Sequence, residues 1–235
     1  MSRGRPATAG VRELERLDRG APLDPAAPMW RGLRGGGPEG NARLTGITGL
    51  LLIVLLAVEG VTIVRIGQLI TLHMFLGMLL IGPIAVKLAS TGYKFVGYYS
   101  GRESYRRIGP PPIGLRALGP AVVITTVVMM VSGVVLLLAG PSSRDSVLPI
   151  HKVSFIIWVF LTAVHVLAHL EASWTSARSE LGAPRGGRSS VLAGRNGRML
   201  VLGIAVLAGV VLAVLVIPDF ASWQHFHPHH FRGDG

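Results

Sequence analysis

His73, His151 and His165 stand inside long apolar stretches of this chain. An ionisable ring in such a setting is costly and usually functional. His151 and His165 are fourteen residues apart. A helix turns 100° and rises about 1.5 Å per residue, so that spacing returns to nearly one face, roughly 21 Å further along. His169 shares the face one turn later. His73 belongs to another stretch and, like His151, lies a few residues inside its start. Two imidazoles from neighbouring helices at one depth can clamp a haem iron axially. The plainer alternative is a hydrogen bond between helices, worth about 0.6–2 kcal/mol.

The elements that must position these rings follow from composition. The 235 residues are 50% hydrophobic and only 15% charged, less charge than a soluble domain of this size carries. About 20 apolar residues span a bilayer as a helix. Five segments qualify, at about 46–66, 67–89, 119–139, 148–170 and 199–217. The fold class expected is an all-α membrane protein, a four-helix transmembrane bundle over 43–170 plus a fifth transmembrane helix at 199–217. There are no cysteines, which excludes disulfides, iron–sulfur ligation and covalent haem attachment.

The net charge of +11 is a topology signal rather than a nucleic-acid footprint. Of 23 Lys and Arg, 8 fall in 1–45, 6 in 87–116 and 5 in 178–198, all on one side if the spans alternate. Arg65, Arg144, Lys152 and Arg232 fall on the other. By the positive-inside rule the N-terminus is cytoplasmic and the C-terminus external, in the cytoplasmic membrane and in contact with its lipids. Residues 1–42 read as a disordered cytoplasmic tail, 171–198 as a cytoplasmic linker and 218–235 as a His-rich external tail. The fifth helix has no polar side chain and reads as a packing or anchor helix apart from the four-helix core.

Several other residues are candidates. Glu59 lies at a depth close to His73 and could orient a ligand imidazole, relay protons, join His73 and His151 around a divalent metal, or tie the first helix to a neighbour. Gly77 and Gly133 would allow close approach. Phe155, Trp158 and Thr162 could line a flat ring. Lys152, Arg65 and Arg144 are placed to meet anionic propionates. His225, His227, His229 and His230 read as a flexible polar tail with weak metal affinity. Tyr93, Tyr98, Tyr99 and Tyr105, with Arg102, Arg106 and Arg107, read as an interfacial belt, or else as a docking surface for a redox partner or quinone.

The stretches ITLHMFLGMLLIGP and LPIHKVSFIIWVFLTAVHVLAHL together resemble the membrane di-haem cytochromes b, the group of bacterial cytochrome b561, the hydrogenase cytochrome b and the formate dehydrogenase gamma subunit. The resemblance covers about 43–170. It implies that His151 and His165 are haem ligands from one helix and that His73 is the ligand from a second. It also implies a fourth histidine near the start of the first helix, where this chain has NARLTGITGL. The residue fourteen after His73 is Lys87, a rare iron ligand.

The expected function is an integral membrane b-type haem protein that moves electrons across or within the membrane, with one haem b and an open question over a second. It would be an electron-transfer subunit more than a stand-alone enzyme, working with a quinone or a redox partner protein and no nucleic acid. The alternative is a haem-free membrane protein, structural or metal-handling, that uses the same histidines as ties.

Overall fold

A computed structural model describes residues 37–101, 113–181 and 194–224. Among the described residues six α-helices follow in order: α1 Gly37–Val64, α2 Ile66–Tyr99, α3 Ile113–Ala139, α4 Arg144–Leu181, α5 Arg195–Leu215 and α6 Ile217–Gln224. The described residues contain no strand. The first five helices are each long and apolar enough to cross a membrane. Their outward faces bear large bare side chains, such as Ile156, Phe160 and Leu167 on α4. Hydrocarbon accepts such faces, and water would penalise them. The chain is a multi-pass integral membrane protein.

The expected segments are present, with longer helices. α1 begins before residue 43, and α4 runs eleven residues past 170, into the stretch expected as linker. The rest of that linker, the expected tail through residue 36, Arg102, Tyr105, Arg106, Arg107 and the four C-terminal histidines lie outside the described residues. The expected external tail starts instead as a helix, α6. Only Arg65 separates α1 from α2, and its carbonyl accepts from the amides of Gln68 and Leu69. Gly140 turns the chain from α3 into a 3-10 turn at Pro141–Ser143 with φ +71°, a value that suits a residue lacking Cβ.

α1 lies against α2 and α4, α4 against α3, and α2 against α5, while α2 and α3 touch less. The fifth span is therefore not set apart from the others: α5 packs on α2 as extensively as α3 packs on α4. The reason is a stripe of small residues, Ala205, Gly209 and Ala213, all buried and spaced four apart. Such a stripe lets backbones approach closely. A Cβ on Gly209 would collide with the Leu79 carbonyl, and one on Gly82 with the Ala205 carbonyl. Pro83 lacks an N–H, so it cannot bond the carbonyl four residues back, that of Leu79. The Leu79 carbonyl, left without that partner, is the group a Cβ on Gly209 would meet.

Candidate functional site

The site begins with α1 and α2, antiparallel neighbours across Arg65. Glu59 and Thr62 lie on the buried side of α1, with relative exposures of 8% and 0%. Three residues apart on a helix, they share a face. His73, about 10 Å down α2 from its start at this rise, meets them. Its Nδ1 lies 2.8 Å from Glu59 Oε1 and 3.2 Å from Thr62 Oγ1. The Thr62 hydroxyl is 2.6 Å from the Glu59 main-chain oxygen and 3.1 Å from Oε2. An ionised carboxylate only accepts, so with Glu59 in that form Nδ1 of His73 is the donor.

His151 is held in the same way by α3. Its Nδ1 lies 3.0 Å from the Met129 carbonyl and 3.1 Å from Ser132 Oγ. Ser132 itself donates to the Met129 carbonyl at 2.9 Å. A carbonyl cannot donate, so Nδ1–H of His151 is the donor. In a neutral imidazole the other nitrogen then holds a lone pair. Among the described residues no hydrogen bond reaches Nε2 of either ring.

The two ring centroids are 6.4 Å apart, with planes at 75°. This is an ordinary edge-to-face separation. Two rings whose Nε2 atoms share one ion in line stand at a similar distance. A metal–imidazole bond is about 2.0 Å and the centroid lies about 1.1 Å further on, so two in-line rings on one ion stand about 6.3 Å apart at any angle between planes.

Both rings line a cavity of about 380 Å³, within the range of about 300–1,000 Å³ typical of ligand pockets. Its walls come from α1 to α4 and from Trp223 of α6, and are mostly apolar. Gly77, Gly133, Phe155, Trp158 and Lys152 line it as well as Glu59. Gly133 makes room for a ring: a Cβ there would stand 3.1 Å from His151 Cε1. Trp158 is fixed by its indole N–H, which donates to Thr126 Oγ1 at 2.8 Å. α6 closes the His73 end, with Phe220 only 2% exposed and Gln224 Nε2 donating to Thr71 Oγ1 at 2.8 Å.

Other candidates lie elsewhere. Arg65 belongs to a shallow patch formed by Val64–Gln68, not to the cavity lining. Arg144 faces Asp145 at 3.4 Å. Thr162 does not line the cavity, and its buried hydroxyl has no hydrogen-bond partner among the described residues. His165 and His169 face each other at 4.7 Å between centroids, far down α4. Lys87 donates to the Thr45 carbonyl at 2.8 Å.

Comparison with protein families, with curated proteins and with solved structures finds no match. The geometry therefore carries the functional argument. Among the described residues no group of three or more His, Cys, Asp or Glu could hold a metal ion. Glu59 has Oε1 on His73 Nδ1 and Oε2 on the Thr62 hydroxyl. Four participants were not singled out from sequence: Thr62, Ser132, the Met129 carbonyl and Trp223. Thr62 had a signal, its spacing of three from Glu59. Ser132 had one too, beside Gly133. Trp223 had none, because it sits in a polar tail.

Proposed function

We propose that this is a b-type haem protein of the cytoplasmic membrane that transfers single electrons, with His73 and His151 as the axial ligands. The observation that carries the reading is the pairing of the two rings. Each spends Nδ1 on a fixed acceptor, each leaves the Nε2 lone pair unspent, and they stand 6.4 Å apart beside one cavity. Ligating histidines almost always donate their other nitrogen in this manner.

The haem would supply one-electron redox chemistry, tuned by its axial ligands and by burial. The chain's own residues do the rest. Glu59 and Thr62 orient His73, and Met129 and Ser132 orient His151. Phe155 and Trp158 offer ring faces, with centroids 6.4 Å apart, and Lys152 offers a cation to a propionate. α6 and the apolar lining limit water. The bundle of α1 to α4 supports the resemblance to membrane di-haem cytochromes b. The distribution of Lys and Arg supports a cytoplasmic N-terminus, with the His73 end facing outward. The electron donor or acceptor would be a quinone or a redox partner protein.

The second reading is a haem-free protein. It is favoured by one observation: His73 already ties α2 to α1, and His151 ties α4 to α3. Colour separates the two. The protein purified in detergent from haem-replete cells should give a reduced-minus-oxidised spectrum with a b-type α-band. The band should vanish in both His73→Ala and His151→Ala. A colourless protein would leave the second reading standing.

A further inference from the structure

We infer that this protein exchanges electrons at its His73 end only, through a single iron centre, and is not by itself an electron conduit across the membrane. The inference rests on the haem reading above and concerns the other half of the molecule, where the residues do not fit a second haem.

Four histidines fall within the membrane-spanning helices: His73, His151, His165 and His169. The first two are committed to the cavity. The remaining two lie one turn apart on α4, and their rings stand side by side at 4.7 Å. A bis-imidazole iron takes its ligands from opposite sides of a porphyrin, which neighbouring residues of one helix cannot supply. A ligand from α1, α2 or α3 would have to face them, and none of these helices has a histidine there.

What α1 and α2 present there is a closed polar junction. Lys87 Nζ donates to the Thr45 carbonyl at 2.8 Å. It lies 3.0 Å from where a Cβ on Gly49 would be, with Ser173 Oγ of α4 3.9 Å from that point. Gly49 thus provides the slot that Lys87 fills, at the meeting of α1, α2 and α4. Neighbouring bonds fix the junction: Asn41 Nδ2 donates to the Ser90 carbonyl at 2.9 Å, and Thr45 Oγ1 to Ser90 Oγ at 3.0 Å. Lys87 Nζ is thus held on the Thr45 carbonyl of α1, beside Ser90 and Asn41.

Between the halves, α1 and α2 carry no further histidine. Lys87 is fourteen residues beyond His73, about 21 Å along a helix. Buried Leu52, Leu80 and Ile84 pack in that interval, with Leu55, Leu56, Leu88 and Met130 against them. An electron taken from a one-electron donor at the His73 end is therefore returned to an acceptor reaching the same end. Both carriers must be external, or dissolved in that leaflet.

The full chain, purified and then reconstituted into phospholipid vesicles with ferricyanide trapped inside, tests this. One haem per chain is expected. His165→Ala and His169→Ala should each keep the whole α-band. Dithionite added outside should reduce the haem of molecules whose His73 end faces out, while trapped ferricyanide stays oxidised. Two haems per chain, loss of half the band in His165→Ala, or bleaching of trapped ferricyanide in proportion to protein would overturn the inference and leave the haem reading intact. A colourless protein would overturn both. If the histidine variants fail to fold, the haem ratio and ferricyanide assays on the unaltered chain still decide.

Discussion

Nδ1 of His73 and Oε1 of Glu59 stand 2.8 Å apart between α2 and α1, so a buried carboxylate fixes which nitrogen of the ring is free. An acid at the bilayer centre costs on the order of 2.5–3.5 kcal/mol on insertion scales. Here the cost is offset by bonds to His73 and Thr62. Glu59→Ala removes the acceptor and leaves the His73 ring free to turn. Loss of such an outer partner lowers metal affinity by roughly 10–100-fold. Haem retention through dilution should fall accordingly, while Glu171→Ala, on an exposed position of α4, should retain it.

Gly133 is where α3 yields to the His151 ring. A Cβ at 3.1 Å from Cε1 requires the ring to give by a few tenths of an ångström. A branched side chain requires more. Haem content per purified chain should therefore fall in the order unaltered, Gly133→Ala, Gly133→Val, with helix content by circular dichroism unchanged.

The contact of α5 with α2 makes a stability prediction separate from the cofactor. A methyl group on Gly82 or Gly209 meets a backbone carbonyl, which cannot rotate away. Overpacking of this kind costs typically about 1–3 kcal/mol. Gly82→Ala and Gly209→Ala should each lower the thermal midpoint in detergent. Gly60→Ala, with nothing within 4 Å of the new methyl, should leave it unchanged or raise it, since alanine is favoured over glycine in a helix by about 1 kcal/mol.

α6 covers the His73 end through Phe220, Trp223 and the Gln224–Thr71 bond. Removing the chain after Val216 takes all three away. Transfer of haem to added apomyoglobin should become faster in the truncated protein, and reduction by external dithionite faster too. Equal rates in the two forms would show that α6 is not a barrier.

How far the sequence spoke for itself depended on the kind of signal. The spans were legible because runs of 20 apolar residues have few other uses. His73, His151 and Glu59 were legible because ionisable groups are conspicuous in apolar spans, and the three are neighbours in the fold. Lys152 lines the cavity, while Arg65 belongs to the patch formed by Val64–Gln68. Backbone acceptors were hidden: the Met129 carbonyl is available to His151 because of how α3 lies on α4, and no residue type announces that. The stripe Ala205, Gly209 and Ala213 was legible by spacing, yet a run without polar side chains reads first as an anchor. Its partner, the Leu79 carbonyl freed by Pro83, follows only from the packing of α2 on α5.

The most direct test is the coordination of the iron in the oxidised, purified protein, read by electron paramagnetic resonance together with near-infrared magnetic circular dichroism. The account predicts low-spin iron with two histidine ligands, converted to a high-spin form or lost in His73→Ala and in His151→Ala alike. A protein without haem, or with a haem whose ligand signature survives either substitution, would contradict it.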